Sequence, residues 1–261
     1  MKTRILTAGV GVIVFFALLF SPIYIYHIAI AGVLALMLYE MYGVLKLGAL
    51  GNTVGAIVAA MIFLVSGFKP EMLSSTLVCA IMLYTLLVVF THGKKNMKDV
   101  LSHGFITFYI SFFMSYLTKI GAEFGSLGAL WAFIIAWICD SGAYFAGVFL
   151  GKHKLVPHIS PKKTVEGAVG GVVAVLIATV IYYIIYAKTF VASDLIKYLV
   201  MGFVASILSQ FGDFIASCIK RDIDVKDYGS ILPGHGGFMD RFDSVLFISP
   251  LVYYSLSLIG G

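Results

Sequence analysis

Residues 217–243 hold most of the chemistry that this chain can offer. They run Ser-Cys-Ile-Lys-Arg-Asp-Ile-Asp-Val-Lys-Asp-Tyr-Gly-Ser-Ile-Leu-Pro-Gly-His-Gly-Gly-Phe-Met-Asp-Arg-Phe-Asp. Four bases (Lys220, Arg221, Lys226, Arg241) stand beside five acids (Asp222, Asp224, Asp227, Asp240, Asp243). Pro233-Gly234 and Gly236-Gly237 bracket His235, and long apolar runs flank the whole stretch. Lysine and arginine take phosphate oxygens. Carboxylates hold Mg²⁺, which bridges phosphates. Glycines let backbone come close to an anion. A connection of this length inside an ordered chain is usually functional. The competing reading is a solvated loop whose bases only set membrane topology.

A second block lies upstream. Asp140-Ser-Gly-Ala-Tyr is followed by Ser160-Pro-Lys-Lys-Thr-Val-Glu-Gly at the start of a long apolar run. Ser160 or Thr164 is placed to cap that helix, with Lys162 and Lys163 at its positive end. Gly167, Gly170 and Gly171 are expected to let helices pack closely. By itself this block reads equally well as a phosphate site or as an ordinary basic loop.

The elements that must position these groups are membrane helices. Of 261 residues, 61% are hydrophobic and 12% charged, about half the charge of a soluble domain. The mean hydropathy is +1.01. The expected fold is all-α and polytopic, with about nine transmembrane helices: 5–20, 23–45, 49–67, 73–91, 100–118, 127–150, 165–187, 196–219 and 241–259. The first is short and begins after Met-Lys-Thr-Arg; it reads as a retained helix rather than a leader. Residues 1–119 form an N-terminal helical part. Residues 120–261 form a C-terminal catalytic part carrying loops 151–164 and 220–240.

Placing the N-terminus in the cytosol puts Lys2, Arg4, Lys46, Lys94, Lys95, Lys98, Lys152, Lys154, Lys162, Lys163, Lys220, Arg221, Lys226 and Arg241 on the cytosolic side. That leaves only Lys69, Lys119, Lys188 and Lys197 of the 18 bases opposite, the asymmetry expected of a correct topology. Both charged loops then face the cytosol. Bases confined to short loops give no reason to expect nucleic acid, despite a net charge of +5.

Acids in apolar runs must face protein, water or a cation. Asp140, Asp213, Asp240 and Asp243 fall at similar depth near the cytosolic surface. Asp240 and Asp243 are i, i+3, as are Gln210 and Asp213, with Ser217 four further on. Together they suit one or two divalent cations. Glu40 is expected instead to pair with a nearby lysine. Glu166 opens its helix. Cys79, Cys139 and Cys218 form no CxxC pair and read as packing residues. The other histidines lack ligand spacing; His235 is the one suited to phosphate contact or proton transfer.

Walker A and G-x-S-x-G patterns are absent, as is the D-G-x-x-A-R pattern of the CDP-alcohol phosphotransferases. Residues 217–243 do resemble the signature of the CDP-diacylglycerol synthases, or phosphatidate cytidylyltransferases. Ser217, Lys220, Arg221, Lys226, Asp227, Gly229, Leu232, Pro233, His235, Gly236, Gly237, Asp240, Arg241 and Asp243 fall in register without a gap. The block from Asp140 to Gly167 is similar to that family's second motif. The N-terminal half resembles it only in being hydrophobic.

The resemblance implies that CTP and phosphatidic acid give CDP-diacylglycerol and pyrophosphate, for phospholipid synthesis. It implies Mg²⁺ dependence, with K⁺ the candidate for a second cation, a homodimer, and an active site open to the cytosol. The lipid phosphate is already anionic, so no Ser or Cys nucleophile is needed. Asp213, Asp240 and Asp243 are the expected metal ligands, with Asp140 a further candidate. Lys220, Arg221, Lys226 and Arg241 are expected to neutralise phosphates, with Asp227 beside them. Ser160, Lys162, Lys163 and Ser217 are expected to bind substrate. His235, Gly236 and Gly237 shape the loop over CTP. A compact chain of this kind suggests a bacterial cytoplasmic membrane. Two other readings stand beside it: a CTP-dependent polyprenol or lipid kinase, which releases CDP, and an ion-coupled transporter.

Overall fold

In the computed structural model, which describes residues 2–186, 190–234 and 236–260, apolar runs become helices and the charged stretches become the joints between them. The helices are α1 (Lys2–Leu19), α2 (Ile23–Leu45), α3 (Ala49–Phe68), α4 (Leu73–Thr91), α5 (Met97–Leu150), α6 (Val165–Tyr186), α7 (Ala192–Asp222) and α8 (Met239–Gly260). Pro22 separates α1 from α2. Seven helices among the described residues are long and apolar enough to cross a membrane, and α1 adds a shorter apolar run, Thr7–Leu19.

Two of the expected spans, 100–118 and 127–150, lie on either side of a break within one long helical stretch. The 54-residue α5 would be about 80 Å long if straight, far beyond a hydrocarbon core of about 30 Å. It is broken at Gly125, where φ is 70° and ψ −173°. That conformation is open to glycine and strained for other residues.

The chain divides into two compact units. The first holds the chain up to Ala122 together with Asp227–Arg241; the second holds Glu123–Lys226 and the chain from Phe242 onward. In the first, Leu47, Val58, Ile62, Ala80, Tyr84, Leu87 and Val100 form an apolar core. Beside it lies a buried polar knot. Tyr42 and Tyr84 hydroxyls both meet Thr107 Oγ1, at 2.8 and 2.9 Å. Tyr84 also meets His103 Nδ1 at 2.9 Å, and His103 stacks on Tyr42. Buried polar groups need such partners, and this set ties α2 and α4 to α5.

In the second unit, the 139–147 segment of α5 approaches α6 almost backbone to backbone. A Cβ on Gly170 would overlap Ala146 Cβ. The expectation of close packing at these glycines holds. Trp131 stacks on Tyr182 at 4.2 Å.

The loop at 151–164 is more ordered than the sequence suggests. It folds as an antiparallel hairpin of β1 (Lys154–Val156) and β2 (Ser160–Thr164). Glu166 pins it from the first turn of α6, accepting from the backbone amides of Lys152 and His153 and meeting His153 Nδ1 at 2.6 Å. Of the two expected caps, Thr164 does the work: its Oγ1 accepts from Gly167 N–H at 3.1 Å.

Candidate active site

α7 ends where the 217–243 stretch begins to bend, and it ends without glycine or proline. Asp224 takes φ 52°, a conformation that aspartate tolerates better than most residues. Val225 N–H then reaches Lys220 C=O at 2.9 Å and Asp224 N–H reaches Arg221 C=O at 3.3 Å. This is the paired pattern that satisfies the last carbonyls of a helix. It leaves Lys220 and Arg221 in the final turn of α7, where cations are favoured by the helix dipole.

In the second unit this turn meets the hairpin. Lys163 of β2 forms an ion pair with Asp213 of α7, and its ammonium lies 4.1 Å from the centre of the Phe214 ring. Asp140, Asp243 and Lys220 are close enough to act on Lys163 electrostatically. Burial pushes the Lys163 pKa down from the ordinary lysine range, Asp140 and Asp243 pull it back up, and Lys220 pushes it down. Asp140 and Lys163 of the upstream block therefore share one charged cluster with Asp213, Lys220 and Asp243. Asp243 is buried, and its Oδ1 accepts from Ser244 N–H at 2.8 Å. Gln210 turns away, donating to Ala168 C=O at 3.2 Å.

In the first unit the loop 227–239 is built around two carboxylates. Asp240 Oδ2 accepts from Tyr228 N–H at 3.0 Å and Gly237 N–H at 3.1 Å. Leu232 N–H closes a turn onto Gly236 C=O at 3.0 Å, with Gly234 and Gly236 at φ 78° and 80°. His235, singled out from the sequence, lies outside the described residues.

The second carboxylate is Glu40, on α2. The sequence leads one to expect a lysine partner for it; its partners are instead the backbone amides of Met239, at 3.1 Å to Oε2, and Phe238. They lie at the entry to α8, whose first amides a helix cannot satisfy by itself. Glu40 is 4% exposed, and the polar knot at Tyr42, two residues on, fixes α2 beneath it. A Cβ on Gly237 would lie 2.5 Å from Oε2, and one on Gly229 would overlap Oε1. Both signature glycines thus make room for Glu40. No sequence motif marks this residue, because its role depends on a contact 199 positions away.

The remaining expected site residues are placed as follows. Ser160 and Ser217 are half-buried, in β2 and α7. Lys162, Arg221, Lys226, Asp227 and Arg241 are exposed. Among the described residues no three His, Cys, Asp or Glu side chains converge as a ready-made cage. The donor chemistry still fits Mg²⁺, which is commonly held through one or two carboxylates plus substrate phosphate oxygens. Asp240 and Asp243, three apart at the start of α8, and Asp213 on α7 are carboxylates of this kind.

The sequence pattern of the cytidylyltransferase family matches residues 2–259. The chain is 37% identical over 271 aligned residues to a phosphatidate cytidylyltransferase of Bacillus subtilis (strain 168), covering 99% of this chain and 98% of that one. It is 34% identical to the protein of the same name from Staphylococcus aureus (strain COL), over 97% of each. A phosphatidate cytidylyltransferase of Thermotoga maritima is 33% identical over 172 residues, 63% of this chain and 62% of that one.

Proposed function

The chain belongs to the cytidylyltransferase family, and from that premise we propose that it transfers CMP from CTP to phosphatidic acid, giving CDP-diacylglycerol and pyrophosphate. The observation that carries this reading is the junction of Lys163 with Asp213, beside Asp140, Asp243 and Lys220. It brings Asp140 and Lys163 together with Asp213, Lys220 and Asp243 in one cluster of the kind that phosphate chemistry uses.

The reaction asks for positioning and charge neutralisation more than covalent help. An oxygen of the lipid phosphate attacks the α-phosphorus of CTP. The bond from that phosphorus to the bridging oxygen breaks, and pyrophosphate leaves. Lys163, Lys220, Arg221, Lys226 and Arg241 take phosphate oxygens, with Lys162, Ser160 and Ser217 as further binding groups. Gly236, Gly237 and the loop around His235 lie over the nucleotide, and Asp227 orients the neighbouring bases. Asp213, Asp240 and Asp243 would hold Mg²⁺, with Asp140 as a further ligand and K⁺ as the second cation. The metal supplies charge neutralisation on the triphosphate.

The chain is a membrane protein by the length and apolar character of its helices. The placement of its bases supports a cytosolic N-terminus and a site open to the cytosol. We place it as a homodimer in a bacterial cytoplasmic membrane. Mass spectrometry of lipids after incubating the detergent-purified protein with CTP, phosphatidate and Mg²⁺ tests the activity. CDP-diacylglycerol appearing in proportion to pyrophosphate is the expected result. CDP released with a phosphorylated lipid alcohol would replace this reading with that of a kinase.

A further inference from the structure

The two helices that the 154–164 hairpin joins stay apolar and exposed up to their last residues. Phe149 and Leu150 close α5 at 78% and 65% exposed, and Val165 opens α6 at 41%. Val169, Val173, Ile177 and Ile181 are exposed as well. At every fourth residue they make one stripe along a helix long enough to cross the membrane. The hairpin therefore leaves and re-enters the helices at the bilayer surface. Lys152 stands two residues beyond Leu150, at most about 7 Å of chain. Lys154 pairs with Thr164, about 4.8 Å across the hairpin, and Thr164 adjoins Val165. These distances are within a Debye length of roughly 8 Å, so a charged leaflet acts on both bases.

The hairpin has two faces. Lys163 turns to Asp213. Thr164, the next residue along the strand, points to the opposite face and rests on the helix ends: a Cβ on Gly167 would lie 3.0 Å from its Oγ1, and one on Gly147 3.2 Å. Cross-strand partners share a face, so Lys154 stands on the side turned to the helix ends and away from Asp213. Lys152 and Lys154 are exposed. No acid occurs between Asp140 and Glu166, and Glu166 is engaged with the amides of Lys152 and His153 and with His153 Nδ1. Those bonds fix the backbone at Lys152, and the strand pairing fixes it at Lys154, so both bases are presented on an ordered frame.

We propose that Lys152 and Lys154 bind the headgroup phosphates of anionic phospholipids other than the substrate, docking the hairpin on the membrane surface beside α5 and α6. Ammonium groups are strong partners of a phosphate anion, and lysine's apolar stem with a charged tip suits the boundary between chains and headgroups. Because the same hairpin carries Lys163 on its other face, the docked surface steadies one member of the charged cluster.

The test uses the full chain in nanodiscs of phosphatidylcholine containing phosphatidylglycerol. A phosphatidylglycerol with a diazirine on its headgroup is photolysed, and mass spectrometry locates the label. Label is expected on residues 151–159, displaced by unlabelled phosphatidylglycerol and not by phosphatidylcholine. Lys152→Gln/Lys154→Gln should weaken that labelling roughly 30-fold, a little over fivefold for each base at an anionic surface, and Lys152→Arg/Lys154→Arg should keep it. Labelling should also fall as salt is raised. A hairpin left unlabelled would overturn the proposal, as would equal labelling by a phosphatidylcholine carrying the same diazirine. Undiminished labelling of the glutamine variant would overturn it too. Displacement by soluble glycerol phosphate would mark a pocket for free anions and likewise refute docking on the membrane. Should the glutamine variant fail to fold, the two probes on the wild-type protein decide alone.

Discussion

The contact between Glu40 and Gly237 yields the sharpest test of how the loop is held. A methyl group at position 237 would place Cβ 2.5 Å from one Glu40 oxygen and 2.6 Å from the other. Cβ atoms essentially never approach a neighbour closer than 3.0 Å, so the carboxylate must retreat by about 0.5 Å. That stretches the Met239 N–H contact from 3.1 Å beyond hydrogen-bond range. A hydrogen bond to a charged acceptor contributes about 1.5–3 kcal/mol. Taking about 2 kcal/mol, Gly237→Ala should lower kcat/KM roughly 30-fold. Glu40→Ala removes the same bond and should cost about as much. In Gly237→Ala/Glu40→Ala nothing remains to collide, so the double variant should be no worse than Glu40→Ala, a coupling of about 2 kcal/mol. Glu40→Gln keeps the bulk and should not relieve Gly237→Ala. The assay is CMP incorporation into phosphatidate, with thermal midpoints in detergent to set aside unfolded protein. Additive losses, about 10³-fold in the double variant, would refute the claim that Gly237 is glycine because of Glu40.

Other expectations follow from the second unit and from the metal-binding chemistry. Lys163→Met should lower kcat/KM by roughly 10²–10³-fold, the scale of losing one preorganised group that stabilises transition-state charge; wild-type rates would remove Lys163 from the site. Asp240→Asn and Asp243→Asn should each raise the Mg²⁺ concentration for half-maximal rate, and EDTA should abolish activity until Mg²⁺ is restored. Asp140→Ala with unchanged rate and unchanged Mg²⁺ response would exclude it as a ligand. Thr164→Ala removes the cap of α6 and should cost about 1 kcal/mol, read as a lower thermal midpoint with a nearly unchanged KM for CTP.

Much of this architecture is visible in the sequence because a bilayer leaves little choice. Runs of about 20 apolar residues must be helices, and α3, α4 and α6 begin and end within a residue or so of where those runs do. The charged loop announces itself because such groups are expensive near lipid. Local signals also carry Thr164 as a cap. Other features depend on contacts that periodicity does not encode. The hairpin at 154–164 has strands too short for an alternation to stand out. The end of α7 uses Asp224 in a place where glycine would be looked for. The position of the break inside α5, at Gly125, is blurred by Lys119 and Glu123, which already look like a loop. Glu40 looks like any acid near a helix end. Its meaning comes from two glycines and two amides that folding brings from the far end of the chain.

The most direct test of the central claim uses CTP labelled with ³²P at the α position in one reaction and at the γ position in another, with phosphatidate, Mg²⁺ and the purified protein. The account predicts α-label in the lipid phase and γ-label in pyrophosphate, with both transfers lost on chelation. γ-Label in a lipid product, or no transfer of either label to phosphatidate that is accessible in the micelle, would contradict it.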